Sequence, residues 1–85
     1  MSSVTLYTTT MCPYCEGAKA LLKKRGIAYE EINLSRSPDD RQHIIDLTGM
    51  ATFPQILIDG KPIGGFNELR AADRSGELAA LLGAA

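Results

Sequence analysis

Little in this 85-residue chain is reactive or extreme, and each scarcity narrows what it can do. It carries two cysteines and one histidine. A closed structural zinc site takes four ligands, so no resident metal and no tightly bound cofactor are expected. Charge of either sign is not in excess: nine Lys and Arg stand against ten Asp and Glu, a net charge of −1. Nucleic-acid-binding domains are usually strongly basic, so no nucleic-acid partner is expected. No apolar stretch approaches the roughly 20 residues of a membrane span, and no membrane association is expected. The start, Met-Ser-Ser-Val, lacks the basic head and apolar run of a signal peptide. The expected compartment is therefore the cytoplasm, where closely spaced cysteines are more often catalytic or metal-binding than structural. The length suits one domain, residues 1–85, with one compact core.

What is present reads as alternating strands and helices. Val4 to Thr8 is rich in β-branched and aromatic residues with period-2 alternation, the mark of a strand. A helix then starts at Cys12-Pro13-Tyr14-Cys15, since proline suits the first helical position. Ala18, Leu21 and Leu22 form its buried stripe, and Gly26 stops it. Ala28 to Asn33 is the second expected strand. Ser37-Pro38-Asp39-Asp40 combines a capping serine, an N1 proline and two acids at the positive helix end. The helix face from Arg41 runs through Ile44, Ile45 and Thr48, and Gly49 closes it. Gln55 to Ile58 is a third strand, Asp59-Gly60 a two-residue hairpin turn, and Lys61 to Gly64 the fourth strand. Pro62 cannot donate to a ladder, which places that strand at a sheet edge. A short helix over Asn67 to Ala72 follows, and Ser75 caps a last helix with Leu78, Leu81 and Leu82 on one side. The order β-α-β-α-β-β-α-α begins with a parallel βαβ unit. It predicts an α/β fold: a four-stranded mixed sheet with helices on both faces.

The two thiols admit three readings. A disulfide staple across three residues closes so small a loop that it stabilises little. Zinc lacks ligands, His43 being on another helix. A redox reagent has a mechanism. Cys12 stands where a helix cap would, so helix-start N–H groups and the macrodipole favour its thiolate by up to about 2 kcal/mol. Each pKa unit is worth about 1.36 kcal/mol. Charge-assisted N–H bonds must supply any further lowering. Cys15, still in the first turn, is expected to face inward. Cys12 is then the nucleophile and Cys15 the resolving thiol. Lys19, about 10 Å along the axis, reads as a solvated charge rather than the activator. His43 reads as a helix-surface residue, not a base, and Tyr7 and Tyr29 as packing residues.

Strand, Cys-Pro-Tyr-Cys and helix resemble the glutaredoxins, a thioredoxin-fold family, and the resemblance spans nearly the whole chain. Thr48-Gly49, Thr52-Phe53-Pro54 and Gly64-Gly65 match in the same order. The resemblance implies glutathione as co-substrate and an enzyme that reduces protein–glutathione mixed disulfides and small or protein disulfides. It implies a cis bond before Pro54, with the Phe53 backbone pairing with the cysteinyl segment of glutathione beside Thr52. Arg41 matches the position that receives the glycine carboxylate. Gly65, Phe66, Asn67 and Glu68 match the segment that receives the γ-glutamyl end, and Tyr14 flanks the backbone. A monomer is expected, with glutathione and glutathionylated or disulfide-bonded proteins as partners.

The chain also departs from the family pattern. Thr9 stands where many relatives have lysine, and Met50 and Ala51 where many have arginine. Both changes remove positive charge from the glycine end. Two other functions stay open. In one, Cys12 from two chains and two glutathione thiols hold a [2Fe–2S] cluster for delivery; Pro13 counts against it. In the other, a redoxin uses the same thiols with thioredoxin reductase as electron donor.

Overall fold

The computed structural model describes residues 3–82; Met1 and Ser2, part of the segment inspected for targeting signals, lie outside them, as do residues 83–85. The elements are β1 (Val4–Thr8), α1 (Pro13–Lys24), β2 (Glu30–Asn33), α2 (Pro38–Thr48), β3 (Gln55–Ile58), β4 (Lys61–Gly64), α3 (Phe66–Ser75) and α4 (Glu77–Leu81). The sheet order is β2-β1-β3-β4. β1 runs parallel to β2 and antiparallel to β3, which is antiparallel to β4. The expected mixed sheet is the one observed, with Pro62 on an edge strand.

Period-2 alternation sorts the sheet residues between two cores. Val4, Leu6, Ile56 and Ile58 pack with Ala18 and Leu22 of α1, Leu69 and Ala72 of α3, and Leu78 of α4. Tyr7 and Leu57 point the other way, onto Ile44 of α2. Helices therefore cover both faces. Tyr7 and Tyr29 are packing residues, as expected. His43 is exposed and meets the Tyr7 ring edge-on at 6.1 Å.

Four local expectations change. β2 starts at Glu30 rather than Ala28, because its ladder with β1 begins at Thr5↔Glu30. The Ile27 N–H just before is spent on the Leu22 carbonyl at 2.9 Å, closing α1. The helix expected over Asn67 to Ala72 runs from Phe66 to Ser75, and Gly76, with φ of 85°, ends it. That left-handed conformation suits glycine and closes a helix readily. Gly76 is also the N-cap of α4, so Ser75 belongs to α3, though its hydroxyl still accepts from the Glu77 N–H at 3.2 Å. Finally, α4 has only five residues: Leu78 is buried, Leu82 is half-buried and Leu81 is exposed.

Candidate active site

The chain leaves β1 at Thr8 and turns through Met11, whose left-handed φ of 56° is uncommon for a residue with a side chain. The turn delivers Cys12 as the N-cap of α1 with Pro13 at the first helical position. The Cys15 N–H donates to Cys12 Sγ at 3.2 Å, a sulfur taking the place of the usual capping oxygen. The two cysteines are joined as a disulfide, with Cα atoms 5.2 Å apart, an ordinary spacing for such a bond. Cys12 is half-buried and opens onto a cavity, whereas Cys15 is 1% exposed. Lys19 is engaged elsewhere: its ammonium contacts Glu16 at 2.7 Å and Glu31 at 3.3 Å. Those carboxylates, Glu16 first, hold its pKa above the ordinary lysine value. Glu31 is held below the usual carboxylate range, first by the Thr8 hydroxyl at 2.8 Å and then by Lys19.

Two cavities that share Thr52 and Phe53 adjoin the motif, one lined by Tyr14 and the other by Cys12. The first, about 240 Å³, has Tyr14, Phe66, Asn67 and Glu68 on one side and Thr52, Phe53 and Pro54 on the other, with Gly65 and Met50 completing it. The second, about 260 Å³, is lined by Thr9, Cys12, Arg36, Arg41 and Ala51, and shares Thr52 and Phe53 with the first. Every residue matched to glutathione from sequence lines the first cavity except Arg41, which lines the second. The Phe53–Pro54 bond is cis. Glu68 folds back over the start of α3, where its Oε1 accepts from the Gly65 N–H at 3.4 Å. The Phe66 ring lies between Tyr14, 6.1 Å away, and the Arg70 guanidinium, 5.6 Å from its centroid.

Three contributors escape a reading of the sequence alone. Arg36 is an isolated cation in a turn, and nothing local signals that it reaches the cavity of Cys12. Gln55 is fully buried, and its Nε2 donates to both the carbonyl and the hydroxyl of Thr52 at 3.0 Å, which fixes the Thr52-Phe53-Pro54 segment. A polar residue opening an otherwise apolar strand was its one signal. Gly17 lets Phe66 approach α1: a Cβ there would lie 3.0 Å from Phe66 Cζ. A glycine inside a helix is the signal for such close packing.

The geometry suits thiol–disulfide exchange: an accessible sulfur at a helix start, a second sulfur within bonding reach, and open space beside them. The comparisons agree. The Glutaredoxin family model matches residues 4–63. The chain is 42% identical over 82 residues to glutaredoxin 3 of Escherichia coli strain K12, covering 96% of this chain and 99% of that one. It is likewise 42% identical over 84 residues to a glutaredoxin of Pseudomonas aeruginosa, with 99% and 100% covered. A buckwheat glutaredoxin–glutathione complex superposes with a TM-score of 0.84 at 30% identity, covering 95% of this chain and 76% of that one. The glutaredoxin of Brucella melitensis gives 0.82 at 40% identity, with 96% and 89% covered. Identity of this order over whole chains, on a shared fold, settles kinship: the chain belongs to the glutaredoxin family, and Cys12 with Cys15 is its thiol–disulfide exchange centre.

Proposed function

We propose that this protein is a glutathione-dependent oxidoreductase that reduces protein–glutathione mixed disulfides, and small or protein disulfides, in the reducing cytoplasm. The observation that carries the reading is the pair of cavities meeting at Thr52 and Phe53, one of them holding Cys12. Glutathione has a carboxylate at each end and its thiol in the middle. The second cavity offers cations, Arg41 among them, to the glycine carboxylate. The first offers the start of α3, where free N–H groups and the positive dipole end favour the γ-glutamyl carboxylate. Glu68, at the same mouth, faces the ammonium. The solved buckwheat complex with glutathione supports glutathione as the ligand by likeness.

In the cycle, the Cys12 thiolate attacks the glutathione sulfur of a mixed disulfide. A Cys12–glutathione disulfide forms, and the substrate leaves as a thiolate that takes up a proton. A second glutathione thiolate attacks that disulfide, releasing oxidised glutathione and restoring the Cys12 thiolate. With a protein disulfide, Cys12 forms a mixed disulfide with the substrate instead. Cys15 then displaces the substrate thiolate and closes the Cys12–Cys15 disulfide, which two glutathione molecules reduce.

The test is turnover of a glutathionylated peptide with glutathione and glutathione reductase, run beside the same assay driven by thioredoxin reductase. Turnover only with the second donor would overturn glutathione dependence while leaving the exchange chemistry intact.

A further inference from the structure

We infer that Arg36 is the specificity-determining residue that supplies the positive charge missing at Thr9, and that it recognises the glycine carboxylate of glutathione together with Arg41. The inference rests on the glutathione reading above. Thr9 and Ala51 bring no charge to the cavity of Cys12, and Met50 lines the other cavity. The cavity is nonetheless lined by two arginines, Arg36 and Arg41.

The sheet register explains how Arg36 arrives there. β2 pairs in parallel with β1 through Thr8↔Asn33, and the Leu34 N–H carries the pairing one step on, to the Thr8 carbonyl at 2.8 Å. Beyond that point both chain segments leave the sheet side by side, and the Met11 carbonyl accepts from Arg36 Nη2 at 3.5 Å. The guanidinium thus lies against the residue before the nucleophile.

Its backbone is held on both sides. The Asp40 carboxylate accepts from the Ser35 N–H at 2.8 Å and the Ser35 hydroxyl at 2.7 Å. Ser35 Oγ in turn bonds Ser37 Oγ at 2.9 Å, and Ser37 caps α2 by accepting from the Asp40 N–H. Asp40 is spent on that turn and is not an ion-pair partner of Arg36. Among the described residues no carboxylate pairs with Arg36 or Arg41. Arg25 and Lys19, away from the cavity, are both paired. Two arginines without an ion-pair partner among the described residues, lining the same cavity as Cys12, suit an anionic group on the thiol that Cys12 meets, and a guanidinium binds a carboxylate through paired N–H donors.

The test compares a glutathione mixed disulfide of a peptide with the same disulfide made from glutathione amidated at its glycine carboxylate. The wild type, Arg36→Ala and Arg36→Lys are assayed with both. Exposed ion pairs are weak, so Arg36→Ala should raise KM for the natural disulfide about three- to five-fold with little change in kcat. Arg36→Lys should recover most of the loss. With the amidated substrate the wild type should already show the raised KM, and Arg36→Ala should add nothing. Equal effects of Arg36→Ala on both substrates, or none on either, overturn the assignment. Wild-type turnover with an indifferent Arg36 overturns this inference alone, whereas absence of glutathione-coupled turnover in the wild type overturns the underlying reading and Arg36 with it.

Discussion

At Cys12 a backbone donor already faces the sulfur, and the cations that share its cavity are Arg36 and Arg41, not Lys19. The N–H of Cys15 already points at the Cys12 sulfur, and on reduction the same donor meets a charged acceptor, where a hydrogen bond is roughly twice as strong. Lys19, the nearest candidate cation on the same helix, is held between Glu16 and Glu31 and has little field to spare. The burial contrast between the two sulfurs supports the proposed division of labour, with Cys12 as nucleophile and Cys15 as resolving thiol. Cys12→Ser should abolish every redox activity. Cys15→Ser should retain deglutathionylation, because a second glutathione can attack Cys12–glutathione directly, and should lose most reduction of protein disulfides. Steady-state rates on a glutathionylated peptide and on a protein disulfide check this. An equal loss of deglutathionylation in the two variants would mean that Cys15 takes part in the first displacement as well.

Between elements, α1 and α3 both line the first cavity, through Tyr14 and Phe66. Phe66 stands at the start of α3, and the missing side chain of Gly17 lets its ring lie against α1. Gly17→Ala therefore brings two opposed effects. Alanine inside a helix is favoured over glycine by about 0.5–1 kcal/mol. The new methyl group would sit 3.0–3.4 Å from three ring carbons, so the ring must yield by a few tenths of an ångström. The ring is the part that must yield, and Phe66 lines the first cavity. The expected result is a Tm within about 3 °C of wild type and a KM for glutathionylated substrate raised about two-fold at unchanged kcat. A higher Tm with an unmoved KM would show that the ring shifts without touching the site. Element boundaries such as these were only partly legible. Caps and turns carry local signals, so Ser37-Pro38 and Asp59-Gly60 mark their positions directly. The start of β2 and the length of α3 depend on register and on where Gly76 falls, which propensity does not encode.

For the molecule as a whole, the site was legible where it sits next to a motif and illegible where the fold alone makes neighbours. Tyr14, Thr52 to Pro54 and Gly65 to Glu68 lie beside recognisable signatures, and they converge on one cavity. Arg36 comes beside Met11 where the chain segments after the parallel strands β1 and β2 meet, a relation no local pattern states. The same long-range ties govern the response to acid. Glu31 joins β2 to Thr8 and Lys19, Asp40 holds the turn before α2, and Asp73 of α3 pairs through two bonds of 2.9 Å with Arg25 at the end of α1. Each carboxyl is held below its ordinary range: Glu31 first by the Thr8 hydroxyl, Asp40 by Ser35, Asp73 by Arg25. A carboxyl with a depressed folded-state pKa binds protons less readily than the unfolded chain does. The stability it confers is complete above the ordinary carboxylate pKa of about 4, and is lost as pH falls through that value and below. Lys19 and Arg25 are raised, so their share is present below the ordinary values and lost only above about pH 10. Thermal unfolding of the oxidised protein should therefore give a Tm plateau from about pH 5 to 9 and a fall below about pH 4. Asp73→Asn should lower the plateau and make the acid fall shallower, because one proton-sensitive tie has gone. The Arg25 side chain is 50% exposed and that of Asp73 14% exposed, so solvent screens the pair and the change should be small. An acid limb as steep as that of wild type, below an unchanged plateau, would mean that the tie between α1 and α3 is carried by the packing of Leu22 and Leu69 alone.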